Sequence, residues 1–140
     1  MAAYAPKNLF GKLLRGEIPS HKVYEDGGVL AVMDVFPQSR GHVLVIPKAP
    51  SRNFLDADPA TLSAVMPAVQ KVARAVMAAT RADGMRLMQF NEATSGQTIY
   101  HLHFHIIPMY EGVPMAAHGG TGRADDADLA ALASQIAARL

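Results

Sequence analysis

The run His101-Leu102-His103-Phe104-His105-Ile106 alternates an imidazole with a large apolar side chain at a period of two. Only an extended strand gives such a run two chemically distinct faces, because residues two apart project to the same side. His101, His103 and His105 therefore share one face, and Tyr100, Leu102, Phe104 and Ile106 share the other. The apolar face needs a cover. The segment from Asp58 to about Arg81 has the length for it, with Leu62, Val65, Met66, Val69, Val72 and Val76 at helical spacing behind an Asp58 cap and Pro59 at the first helical position. Pro67 removes one backbone donor from this helix and predicts a kink or a delayed start.

Shorter elements surround this pair. Asn8 to Arg15 reads as a first helix, capped by Asn8 and stopped by Gly16. Lys22 to Glu25 and Val29 to Val35 read as a hairpin about Asp26-Gly27-Gly28, and His42 to Ile46 as a third strand ending at Pro47. A fourth strand spans Met85 to Phe90, followed by the polar loop Asn91 to Gly96 and a last strand from about Gln97 to Ile107, stopped by Pro108. Met109 to Arg123 is glycine-rich and irregular, and Asp128 to Leu140 has the alanine and leucine spacing of a closing helix. Strands grouped before and after one long helix predict an α+β fold. Its antiparallel sheet carries one long and one short helix, plus a C-terminal helix, in a single domain over residues 1–140.

Composition narrows the function classes. Half the residues are hydrophobic and the formal net charge is +1, with no clustered basic face of the kind that meets a nucleic acid polymer. Cysteine is absent, so disulfides and thiolate metal ligands are excluded. No secretory pattern opens the chain and no apolar run has the length of a membrane span, which predicts no membrane partner and a cytoplasmic location.

Three aligned histidines admit three readings. They form a solvated strand face, or converge on a metal such as zinc, or act as nucleophile and donors in phosphoryl chemistry. For a zinc site, the nearby carboxylates able to orient the rings are Glu92 and Glu111. For phosphoryl chemistry, the loop Thr94-Ser95-Gly96-Gln97-Thr98 supplies hydroxyls, an amide and open backbone N–H groups suited to phosphate oxygens.

The stretch Gly96-Gln97-Thr98-Ile99-Tyr100-His101-Leu102-His103-Phe104-His105-Ile106-Ile107-Pro108 resembles the signature of the histidine-triad family, His-φ-His-φ-His-φ-φ with φ apolar. Asn8 to Pro19, Val29 to Val35 and Gly41 to Lys48 are similar to its Hint-like, nucleoside phosphoramidase branch in the same order, so the likeness covers about residues 8–111 and leaves 112–140 as an extension. The resemblance implies a homodimeric hydrolase that binds a purine mononucleotide or nucleotide conjugate and uses no cofactor or metal. It implies that His103 attacks the α-phosphate of a nucleoside phosphoramidate and forms a nucleotidyl-histidine that water resolves. His105 then contacts phosphate or the leaving-group side, the His101 backbone orients the His103 ring, and His42 completes the cluster. Asn91, Gly96, Gln97 and Thr98 match phosphate-side positions, Asp34 matches the ribose-binding acid, and Leu9, Phe10, Leu13, Val32 and Val35 match a base pocket. Within the same chemistry, dinucleoside polyphosphate hydrolysis or nucleotidyl transfer is the alternative; outside it, a nucleotide-binding interaction module with weak activity.

Three departures stand out. The first helix lacks the cysteines with which some bacterial members help bind zinc. Ala93 stands where glycine is common in the family's Asn-Glu-Gly loop, and the loop is one residue shorter than in some Hint-like members. The segment after Glu111 is unlike the short Hint-like ending, a region that helps set substrate range.

Overall fold

The computed structural model describes residues 1–140. Asn8 caps α1 (Leu9–Leu14) by accepting from the Gly11 N–H. Strands β1 (Lys22–Glu25) and β2 (Val29–Met33) form the expected hairpin, whose turn is closed by Asp26 Oδ1 accepting from the N–H groups of Gly28 and Val29. Then follow β3 (Val43–Pro47), α2 (Pro59–Thr80), β4 (Gly84–Met88), β5 (Phe104–Met109) and α3 (Asp126–Ala137). The five strands make one antiparallel sheet in the order β1-β2-β3-β5-β4. The architecture is α+β, with no helix long and apolar enough to cross a membrane.

Strand alternation divides this sheet into two chemically different sides. Val29, Ala31, Met33, Val43, Val45, Phe104 and Ile106 join Leu102 in a core with Val65, Val69, Val72 and Val76 of α2 and Leu129, Leu132 and Ile136 of α3. The opposite side holds a smaller cluster of Phe10, Leu30, Val32, Leu44 and Ile46 against α1. Residues 112–140 are therefore built into the main core through α3.

Several boundaries differ from the sequence reading. The strand bearing the histidines starts at Phe104, because β3 pairs with it only as far as Val45↔Phe104 and β4 only as far as Met88↔His105. Residues 97–103 thus have no neighbouring strand to bond. Pro108 does not stop β5; it stands past the last β3 pair, Val43↔Ile106, where its missing N–H removes no β3–β5 ladder bond. Nor does Pro67 delay or interrupt α2, and Met66 is 38% exposed while Ala68 and Ala75 take inward positions. Tyr100 leaves the predicted apolar face and lies beneath the Arg52 guanidinium, 4.1 Å from ring centre to Cζ.

Candidate active site

On the α1 side of the sheet the hydrogen bonds fix which nitrogen of each imidazole carries its proton. His42 immediately precedes β3, fully buried, and its Nδ1 accepts the Gln38 backbone N–H at 3.0 Å. Its proton is therefore on Nε2, which donates to His105 Nδ1 at 3.0 Å. His105, a β5 residue paired with Leu44, must then carry its proton on Nε2. The His103 Nδ1–H donates to the carbonyl of His101 at 2.6 Å, so His103 Nε2 keeps a bare lone pair. The His101 ring is turned away, with Nε2–H donating to Pro47 O at 2.7 Å and Nδ1 accepting from the Tyr4 hydroxyl at 2.7 Å. His101 thus contributes its carbonyl to the cluster, and its ring bonds Tyr4 and Pro47 rather than the other two imidazoles.

Burial keeps these rings neutral. Desolvation pushes His42 down to about 3, His103 to about 4 and His105 to about 3, with neighbouring imidazoles adding to the shifts, and it lowers His101 as well. Phe10 meets the His103 ring edge-on at 4.7 Å, and Phe90 meets His105 at 5.5 Å, so apolar walls maintain this environment. A neutral, oriented imidazole with a free Nε2 is the state a nucleophile requires.

A cavity of about 180 Å³ opens onto His103 and His105 and is lined also by Gly96, Gln97, Thr98, Gln38, Phe90 and His118. That volume fits the phosphate end of a ligand and is smaller than the usual site for a whole organic molecule. The exposed Thr98 brings a hydroxyl donor to its wall, while the N–H of Gly96, at φ +110°, is spent on Ala93 O. Behind the wall, Gln97 is 4% exposed and its amide is consumed internally. Oε1 accepts from Asn53 Nδ2 and the Glu92 N–H, while Nε2 donates to the carbonyls of Arg52 and Ile99. The predicted phosphate contact through this side chain is corrected to a strut beneath the loop. Asn91 is likewise turned away, bonded to Gln89 and to the Phe54 N–H.

The strut restrains a strained residue. Glu92 sits at φ 71°, ψ 159°, a region that essentially only glycine occupies freely, at a cost of about 1–3 kcal/mol. Arg52 donates to both carboxylate oxygens of Glu92, at 2.8 and 3.0 Å, and Asn53 donates to one at 2.7 Å. Ala93 begins the 3-10 turn that follows, so the unusual backbone precedes the turn.

Asp34 follows β2 and is buried, which raises its carboxyl above the usual range. Oδ1 accepts the Phe36 N–H at 2.8 Å, and Oδ2 lies 3.5 Å from His42 Nε2. Asp34, His42 and His105 are near enough together to suggest a metal site. The His42 tautomer does not fit one, because Nε2, the atom facing the group, already bears the proton. Of the predicted base pocket, Phe10 and Val32 are buried beside the histidines' side of the sheet, Leu13 packs on them, and Leu9 is 50% exposed. Val35 packs into the α2 and α3 core on the other side of the sheet and is removed from that pocket.

Sequence reasoning missed Gln38 and His118. Gln38 bonds His42 through its backbone N–H and pairs with Ala116 by two hydrogen bonds, so it joins the histidines to the β5–α3 loop. His118 lies among loop glycines without periodicity, and a surplus histidine was the one available signal.

The antiparallel α+β sheet sets a neutral, proton-fixed histidine pair over a small cavity, the arrangement of a histidine-centred site. The sequence profile of the HIT domain matches residues 15–112, and the chain belongs to the HIT, or histidine-triad, family. A solved Hit-like protein involved in cell-cycle regulation from Bartonella henselae, crystallised with an unknown ligand, is 54% identical, with a TM-score of 0.92 over 99% of this chain and 100% of that one. The hit protein of Bacillus subtilis is 39% identical over 94% of this chain and 93% of its own length. An adenylylsulfatase of Arabidopsis thaliana is 39% identical over 74% of this chain and 52% of its own length.

Proposed function

We propose that the protein is a nucleotide hydrolase that acts at the α-phosphate of purine nucleoside phosphoramidates through a covalent nucleotidyl-histidine. The observation that carries this reading is the directed hydrogen-bond chain. It leaves His103 Nε2 unprotonated and His105 Nε2 protonated on one cavity wall. The His103 lone pair attacks phosphorus and the P–N bond to the leaving amine breaks. The amine departs with the bonding pair and takes a proton from water. The His101 carbonyl stabilises the charge gained by the His103 ring, while the His105 Nε2–H bonds a phosphoryl oxygen. Water then displaces His103, which releases the nucleoside monophosphate and restores the lone pair.

The Thr98 hydroxyl supplies a donor for a remaining phosphoryl oxygen, beside the side-chain-free backbone at Gly96. Asp34 accepts from the ribose through Oδ2, the oxygen that the Phe36 N–H leaves free, and Phe10, Leu13 and Val32 flank the base. The Arabidopsis relative supports a second substrate within the same mechanism, an adenylyl group joined to sulfate. The exposed Leu87 on the free β4 edge, beside the exposed Met66 of α2, supports a homodimer formed through that edge.

Mass spectrometry of enzyme quenched during turnover tests the scheme. A nucleotidyl adduct on the peptide bearing His103 is expected, and His103→Ala should lower turnover by at least ~10³-fold while nucleotide binding persists. Full turnover in that variant, or tight nucleotide binding with no adduct in the native protein, would rule the mechanism out, and the second result favours a binding module.

A further inference from the structure

The β5–α3 loop is latched to the segment preceding His42 at successive points. The Tyr110 hydroxyl donates to Arg40 O, Gln38 and Ala116 exchange two hydrogen bonds, the Thr121 hydroxyl donates to Pro37 O, and the Ala124 N–H donates to Val35 O. Between the latches, Gly112, Gly119 and Gly122 adopt positive φ with open space about them, so the chain can bend sharply there. This path places His118 at the mouth of the cavity that holds His103 and His105.

His118 differs from the other histidines of the cluster. It is exposed and no protein hydrogen bond is recorded for its ring, whereas the nitrogens of His42 and His101 are engaged within the protein. It is near enough to influence the charge of Asp34, His42, His103 and His105. The nucleophile's lone pair and the His105 donor occupy the sheet wall, and Gly96 and Thr98 occupy the loop wall. A group bonded to the α-phosphate and directed outward meets His118.

We infer that His118 is a leaving-group contact that favours leaving groups with an anionic oxygen next to the scissile bond, such as sulfate or phosphate, over neutral amines. This assignment rests on the nucleotidyl-histidine mechanism proposed above and ranks its second substrate class, with sulfate as leaving group, above the amine class. In the reaction the P–O bond breaks, the leaving oxygen keeps the electron pair, and His103 Nε2 bonds to phosphorus. His118 donates a hydrogen bond to the departing anion and keeps its proton. An amine that takes its proton from water as the P–N bond breaks offers that donor no anionic acceptor.

The test compares kcat/KM for adenylyl sulfate and for an adenosine phosphoramidate of a simple amine in the native protein, His118→Ala and His118→Gln. A hydrogen bond to a charged group corresponds to ~10-fold or more, so His118→Ala should reduce the ratio of the two values (sulfate over amine) by at least that factor. His118→Gln, which keeps a donor, should recover part of it. An unchanged ratio overturns the assignment alone, whether both values fall together or neither moves. A native protein that turns over neither substrate overturns both the assignment and the proposed function.

Discussion

Replacing Gln97 by glutamate distinguishes a buried strut from a phosphate ligand. The two side chains have nearly the same shape, so Gln97→Glu leaves packing intact and exchanges one N–H₂ for an oxygen. Two donated hydrogen bonds disappear, to Arg52 O at 2.8 Å and Ile99 O at 3.1 Å. At about 0.5–1.5 kcal/mol each, that loss is about 1–3 kcal/mol. A carboxylate would also face two carbonyl oxygens at a site 4% exposed and lie close to Glu92, which bonds the same Asn53 amide. The Asn53 and Glu92 N–H donors, bonded to a charge, recover part of this. The net expectation is a destabilisation of about 2–4 kcal/mol at pH 8.

The pH dependence follows from the same environment. A destabilisation of ~2 kcal/mol assigned to the charged form corresponds to a folded-state carboxyl raised by ~1.5 units, from ~4.3 to near 6. The penalty is full above the folded value and fades as pH falls from there toward the unfolded value. Urea denaturation of native protein and variant, side by side at pH 8 and pH 4.5, measures both quantities. A difference below ~0.5 kcal/mol at pH 8 that does not change with pH, together with weakened nucleotide binding, would refute the strut and return Gln97 to the ligand.

Two other outcomes are expected. His42, His103 and His105 remain neutral when folded, to about 3, 4 and 3, whereas unfolded histidine titrates near ~6.5, so stability should fall as pH drops below ~6.5, by up to about 1.4 kcal/mol per unit for each group. Denaturation midpoints between pH 7.5 and 5 check this, and an acid limb in kcat/KM centred at ~6.5 and assigned to His103 would contradict the buried neutral nucleophile. Gly41→Ala should cost about 1–3 kcal/mol, read by thermal or urea unfolding, because φ is +94° and the added Cβ would lie 2.7 Å from Thr80 Cγ2 and 3.2 Å from Pro108 Cγ. Unchanged stability in that variant would mean that the β3 entry is looser than this packing implies.

Much of the sheet was legible because its faces are written with period two. Leu102, Phe104 and Ile106 enter the core opposite the histidine cluster, as alternation requires. The same alternation already separates Val32 from Val35, which are three apart, and grouping them in one base pocket ignored it. The strand start at Phe104 was not legible, since it depends on where β3 and β4 stop pairing, and periodicity within one segment does not report its neighbours. The roles of Gln97 and Asn91 escaped for a related reason. An amide in a polar loop looks alike whether it faces a phosphate or a buried partner, and Asn53 lies 44 residues from Gln97. Gln38 and His118 act through a latch between segments 78 residues apart, which leaves no local trace.

The division of the sheet also governs how such a protein changes over generations. Along β3, Val43 and Val45 belong to the helix-covered core, while Leu44 and Ile46 belong to the cluster beneath α1, on the histidines' side. Inherited variation at one set is filtered by whether the chain folds. At the other set folding filters it as well, since Ile46 is fully buried and Leu44 nearly so, and under the proposed function what the chain accepts adds a second filter. A change at either set therefore carries a folding cost, and only the set beneath α1 can alter the proposed substrate pocket along with it.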